Sequence, residues 1–332
     1  MRAFSFAIMF VLLCLTSAFA DDRPRLMVLT DIGGDPDDRQ SLIRLMVYVN
    51  EFRIEGLIAT ASGTPGELKK AITQPQYIRE IVEAYGQVRD NLTQHAEGWP
   101  TKEELLSVIR EGNPQRGLKN IGAGHDTAGS NYIIERVDAG STEDKLNISI
   151  WGGQSDLAQA LWRVREDRGA EGLAEFVSKF RVYDIADQDR IAGWMGEQFP
   201  GMFYIVSRSG TAAFRGMYLT GDEALTSKKW VTEHVSSKGP LGALYPLRTA
   251  THSNIHNCLK EGDTPSWFFF LPAGGNDIDD PTKPGWGGQF RKADSGWYMD
   301  GQPGYDARET VARWRPEYQA DFAKRMSWTV SK

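Results

Sequence analysis

The chain has 332 residues, 41% of them hydrophobic and 11% aromatic, which supports a sizeable core and excludes an intrinsically disordered chain. Its formal charge of −6, from 38 basic and 44 acidic residues, excludes a general nucleic-acid or anionic-membrane surface, because phosphate binding needs clustered Lys and Arg. The length suits one large α/β domain or two smaller ones; with no repeat, low-complexity tract or linker, the reading is a single domain over residues 21–332.

Residues 1–20 read as a signal peptide: Arg2, an apolar run through Leu15, and Ala18-Phe19-Ala20 as a small-x-small site. Cleavage after Ala20 predicts a secreted or periplasmic protein with no membrane segment left, since the apolar core is too short to span a bilayer. The mature chain then keeps Cys258 alone and forms no internal disulfide.

The first predicted strand, Leu26 to Thr30, runs into Asp31-Ile32-Gly33-Gly34-Asp35-Pro36-Asp37-Asp38, and a helix follows from Arg39. Four carboxylates within eight residues repel one another unless a cation or a set of donors compensates them. A hard divalent cation is the simplest compensator, and calcium tolerates an irregular loop better than magnesium does. The alternative is helix capping by Asp37 or Asp38, which uses one or two carboxylates rather than four.

The stretch resembles the N-terminal signature of the nucleoside hydrolases, T-D-x-G-x-D-D. Thr30-Asp31-Ile32-Gly33 matches its first half, and Asp37-Asp38 matches the pair after two additional residues. The wider form, T-D-I-G-G-D-P-D-D before a helix, resembles the secreted nucleoside-hydrolase-like domain of a cellulose-binding protein family. The resemblance implies that Asp31 ligates calcium and is the catalytic base for water. It also implies that Asp38 chelates, and that Asp35 or Asp37 lies toward the sugar. The family has another Asp two positions before the base; that position is Leu29 here.

Arg53 to Ser62 has the apolar run of a buried parallel strand, and its loop, Gly63-Thr64-Pro65-Gly66, falls at the carboxyl edge where open α/β sheets bind ligands. Where the related hydrolases place an Asn on the ribose, this chain offers Thr64. Helices are predicted over 67–88 and, after Pro100-Thr101, over 102–109. A glycine-rich loop, Gly122 to Ser130, leads into a helix around 132–137; without a following Lys it is a weak phosphate loop. Its His125 is a substrate-binding candidate by resemblance, or a loop histidine bonded to backbone.

Lys145 to Trp151 is a strand, and Gly152-Gly153-Gln154-Ser155-Asp156 turns into a helix. This block resembles the strand and turn that bring a backbone carbonyl to the calcium of nucleoside hydrolases; the matching carbonyl is that of Trp151, with Gln154 toward substrate. Phe180 to Ala186 is a strand that delivers Asp187-Gln188-Asp189 to the same edge, where the two acids either hold sugar hydroxyls or cap the helix around 191–194. Phe203 to Ser207 is a further strand, and Phe214 to Leu219 with Trp230 forms an aromatic-rich region with no assigned role. Lys260 to Pro272 carries Asp263, which by resemblance closes the calcium shell and otherwise starts a helix. The loop 276–288, rich in acid, Gly and Trp, is a candidate for specificity, and 314–322 reads as a docking helix.

The ordered blocks predict an α/β fold with a mostly parallel open sheet flanked by helices, Rossmann-like and nucleoside-hydrolase-like, with the site loops at one end. The expected function is that of a secreted calcium-dependent hydrolase of a glycosidic or N-glycosidic bond acting on a sugar, nucleoside or polysaccharide. Leu29 and the absence of an evident leaving-group acid, for which His125 and Asp189 are the weak candidates, support an alternative: a carbohydrate (cellulose)-binding protein without turnover. Phosphoryl transfer with magnesium is disfavoured, because no Lys or Arg accompanies the acidic loop. Relatives of this fold associate, so a homo-oligomer is an open expectation.

Overall fold

A computed structural model of the protein describes residues 21–63, 65–248, 258–301 and 304–331. The predicted signal peptide and Thr64 lie outside the described residues. Among those described, the strands form one eight-stranded sheet. They are β1 (Arg25–Thr30), β2 (Arg53–Ala59), β3 (Ile109–Glu111), β4 (Leu146–Ile150), β5 (Phe180–Ile185), β6 (Phe203–Ser207), β7 (Arg291–Lys292) and β8 (Tyr298–Met299), in the spatial order β3-β2-β1-β4-β5-β6-β8-β7. All neighbouring pairs are parallel except β7 with β8. The expected mostly parallel open sheet is therefore present.

The strands are apolar on both sides because both faces are covered. Leu26 and Val28 of β1 enter one buried cluster with Leu42, Ile43 and Leu45 of α1 (Asp37–Met46) and Ile78, Ile81 and Tyr85 of α2 (Pro75–Leu92). Met27 and Leu29 enter the other, with Ile133 and Val137 of α4 (Ala128–Asp138) and Leu157 and Leu161 of α5 (Gln154–Val177). The short helices α3 (Lys102–Ser107), α6 (Ala192–Gln198) and α7 (Thr264–Phe268) and the C-terminal α8 (Arg315–Ser327) complete the elements used below.

Two predicted boundaries move. The helix expected over 67–88 is a single turn, Pro65–Leu68, and then α2, because Ala71 takes a left-handed backbone (φ 49°) between them. The helix expected over 102–109 stops at Ser107, and Ile109 instead pairs with Leu57 to begin β3.

Strand order reverses at β1, which has β2 on one side and β4 on the other. The carboxyl ends of β1 and β4 therefore splay their following segments apart, and a crevice opens at that switch point. The acidic loop 31–38 and the turn 151–153 both leave from it.

Candidate functional site

A cavity of about 350 Å³ opens at this switch point. Its walls come from the acidic loop (Asp31, Asp35, Asp37, Asp38), the loop after β5 (Ala186, Asp187, Gln188, Arg190), the turn after β6 (Phe214, Arg215, Tyr218) and the start of α7 (Lys260, Asp263). Segments far apart in sequence thus converge on one edge of the sheet.

Asp31 sits between two backbones that only glycine permits. A Cβ on Gly63 would lie 2.1 Å from Asp31 Oδ2, and one on Gly152 would lie 2.6 Å from Asp31 Cγ. The Gly63 amide also donates to the Asp31 carbonyl at 3.1 Å. Asp38 accepts a hydrogen bond from the Thr30 hydroxyl. Asp37, Asp38 and Asp263 each offer a carboxylate oxygen within 4.8 Å of the others.

The capping alternative is not realised. The N-cap of α1 is Pro36, which has no side-chain cap, and Asp263, at the N-cap of α7, makes no side-chain cap bond. Asp263 Oδ2 is buried with no hydrogen-bond partner among the described residues. Burial pushes Asp38 and Asp263 well above the usual carboxylate range, and the neighbouring carboxylates push them further. Asp31 is raised to about 7 by burial, with the Arg116 guanidinium opposing. A buried orphan oxygen among mutually repelling carboxylates suits a hard cation held by oxygen ligands.

The expectation that no Lys or Arg accompanies the acidic loop is corrected. Lys260, 97% buried, pairs with Asp35 and stands 3.3 Å from Asp37. Arg116 reaches Asp31 Oδ2 at 3.5 Å and the Gly63 carbonyl at 3.2 Å, with its Nε 3.7 Å from Asp189.

The remaining predicted residues divide. Asp187 lines the cavity, but its Oδ1 accepts from the Ile191 and Ala192 amides, both at 3.0 Å, and its Oδ2 pairs with Arg208. Asp189 accepts from the Ser155 amide at 2.8 Å and hydroxyl at 2.6 Å and lies behind the wall. Asp187 therefore does the helix-starting work that was the alternative for it, whereas Asp189 ties down the start of α5 rather than the helix around 191–194. Gln154 points into the sheet, donating to Asp184 at 2.7 Å and to the Tyr204 hydroxyl at 3.2 Å, and is not part of the cavity. His125 lies outside the cavity as well. Its loop is tied to α5 instead, where Asp126 accepts from Gln159 at 2.6 Å and pairs with Arg163. The Trp151 carbonyl receives the Gln188 amide, and the Trp151 side chain is fully buried. The loop 276–288 also stays out of the cavity; Asn276 closes it on itself through Gly287 and Gly288.

Sequence reading missed Lys260, Arg116, Arg190 and Arg215. Phe214 and Tyr218 of the aromatic-rich region do line the cavity, whereas Trp230 packs on His234 and Phe322. A signal for Arg190 existed in retrospect, because it follows a strand whose loop carries two acids, but nothing local distinguished it from a solvated surface residue.

The loop after β5 is strained. Ala186 (φ 73°), Asp187 (φ 49°) and Arg190 (φ 58°) all take left-handed backbones, at of order 1–3 kcal/mol each. Such strain persists where surrounding bonds hold a wall in place, here the Ala186 amide on the Ser207 carbonyl at 2.8 Å. Ala186→Gly is expected to raise the unfolding free energy by about 1 kcal/mol, because glycine adopts this backbone freely. Chemical denaturation of both forms measures this; no gain would mean that the loop is relaxed.

A family model described as the nucleoside hydrolase-like domain of the cellulose-binding protein Sde182 matches residues 25–290. The solved structure of a nucleoside hydrolase-related hypothetical protein from Saccharophagus degradans, associated with carbohydrate metabolism, is similar with a TM-score of 0.76 at 32% identity, over 93% of this chain and 72% of that one. The effector protein XOO4466 is similar in fold, with a TM-score of 0.50 at 11% identity over 93% of this chain and 95% of that one. No curated protein matches the chain.

Proposed function

Because this chain belongs to the family of nucleoside hydrolase-like domains of cellulose-binding proteins, we propose that it is a calcium-dependent hydrolase of a glycosidic or N-glycosidic bond in a carbohydrate substrate. The observation that carries this reading is the placement of four aspartates, Asp31, Asp37, Asp38 and Asp263, in one cavity at the strand-order switch, three of them buried. Asp37, Asp38 and Asp263 are the residues to hold the ion, with Asp31 beside them. Bound there, calcium supplies charge compensation and positions for sugar hydroxyls.

The chain's own residues then carry the reaction. Asp31, which burial raises to about 7 before any ion is bound, is the carboxylate placed to accept a proton. It takes that proton from a water while the water oxygen bonds to the anomeric carbon. The bond from that carbon to the leaving oxygen or nitrogen breaks, and its electron pair departs with the leaving group. Asp35 and Asp37 face the sugar hydroxyls, and Phe214 and Tyr218 offer aromatic surface to the ring. The reading of residues 1–20 as an export signal supports an activity outside the cytoplasm.

Binding without turnover is the second reading, and one observation favours it. Neither His125 nor Asp189, the two acids considered for the leaving group, lines the cavity. A screen of nucleosides and oligosaccharides for released sugar at saturating calcium separates the two readings. Hydrolysis is expected, with Asp31→Asn lowering the turnover number by about 100-fold to 10,000-fold and leaving the melting temperature little changed. Saccharide binding with no release in the unmodified protein would instead establish the binding reading.

A further inference from the structure

We propose that the saccharide taken by this cavity carries an anionic group, a carboxylate or a phosphate, and that Arg190 and Arg215 recognise it. The inference rests on the carbohydrate reading above and narrows its substrate class.

The other cations around the cavity are answered by acids of the chain. Lys260 serves Asp35 and Asp37, Arg116 lies between Asp31 and Asp189, and Arg208 pairs with Asp187. Two guanidinium groups in the cavity wall are left over. Among the described residues neither Arg190 nor Arg215 forms an ion pair, although six aspartates line the same cavity.

Arg190 is exposed, and its side chain makes no hydrogen bond among the described residues. Its backbone is nonetheless held at the cavity wall, left-handed and with its amide donating to the Asp187 carbonyl at 2.9 Å. Arg215 lies over the Phe214 ring at 4.9 Å and donates one Nη to the Tyr218 hydroxyl at 3.2 Å, while its Nε is buried without a partner. Stacking occupies the face of a guanidinium and leaves its edge, where the N–H donors lie, free for an acceptor.

A buried N–H with no acceptor is costly, and a rigid donor fork fits the two oxygens of a carboxylate or phosphate. A neutral glucan offers hydroxyls alone and leaves both guanidinium charges unanswered. In a chain of net charge −6, a general pull on anions is absent, so recognition has to be local to these two residues.

The test is calorimetric titration of the calcium-loaded full chain with three probes: methyl glucoside, methyl glucuronide and glucose 6-phosphate. At least one anionic probe is expected to bind about tenfold or more tighter than the neutral glucoside, as one charge-assisted contact provides. The preference is expected to shrink at high salt and to be lost in Arg190→Gln and in Arg215→Gln. Arg190 is exposed, so its variant folds whatever becomes of Arg215→Gln, and thermal melts check both. Which anionic probe wins separates a sugar acid from a sugar phosphate. Equal binding of neutral and anionic probes, untouched by the Arg190 variant, would overturn the proposal and leave the carbohydrate reading standing. Failure of all three probes, together with no binding of neutral oligosaccharides, would remove both.

Discussion

Calorimetric titration of calcium into the protein is expected to give one saturable site that Asp38→Ala and Asp263→Ala each abolish. The carboxylates of Asp37, Asp38 and Asp263 converge within 4.8 Å, and among the described residues neither Asp38 nor Asp263 makes a side-chain helix cap. Loss of a directly coordinating carboxylate is expected to exceed the about 10–100-fold loss of affinity typical of outer-shell partners. His125→Ala, outside the cavity, is expected to leave the titration unchanged.

The pH dependence follows from the same burial. Asp31 has an ordinary value of 3.8 and is raised to about 7 in the folded chain, and Asp38 and Asp263 are raised too. Without a cation, the folded state therefore binds more protons than the unfolded state between these values, and its stability falls as pH rises through that window. Calcium competes with those protons, so its affinity rises over the same window. The calcium-induced rise in melting temperature is expected to be larger near about pH 8 than near about pH 5, and at about 100 times the dissociation constant to correspond to roughly 2.7 kcal/mol. A shift that does not grow with pH would mean that calcium binds elsewhere.

The acidic loop was legible in the sequence because its signal is local: four carboxylates at the end of an apolar strand. The central strands were legible for a similar reason, since burial on both faces writes an unbroken apolar run. Ile109-Arg110-Glu111 of β3 and the two-residue β7 and β8 are too short for any period to register, and their existence is decided by the neighbouring strand. The cationic half of the site was illegible for a different reason. Lys260 is 225 residues from Asp35 and Arg116 is 85 from Asp31, so only the topology brings the charges together. Gln154 misled because a Gly-Gly turn at the ligand edge suggests a substrate contact. The side chain instead turns inward to satisfy Asp184, a buried carboxyl that nothing in the sequence near Gln154 announces.

Arg44→Met is expected to destabilise the protein by about 3–5 kcal/mol, the range for breaking a buried ion pair by removing one partner. Arg44 and Glu261 are both fully buried and paired, and Arg44 also donates to Gln319 at 2.7 Å and lies 3.8 Å from the centroid of the Phe322 ring of α8. One helical turn earlier, Gln40 accepts from the Lys260 and Glu261 amides at 2.8 and 3.2 Å and donates to the Cys258 carbonyl at 2.9 Å. The helix that begins with Asp37 and Asp38 therefore also clamps the segment that carries Lys260 and Asp263. This clamp couples stability to the site. Arg44→Met leaves Glu261 as a buried charge without its partner, and relief comes by loosening of 258–264. Calcium affinity is thus expected to fall in this variant, although Arg44 lines no part of the cavity. Replacing Glu261 with Met as well removes the orphan charge and is expected to recover much of the stability, as apolar replacement of buried ion pairs often does. Urea denaturation of both single variants and the double variant, with a calcium titration of each, measures both effects. A loss below about 1 kcal/mol for Arg44→Met, the level of an exposed pair, would mean that the clamp does not hold the two acidic segments together.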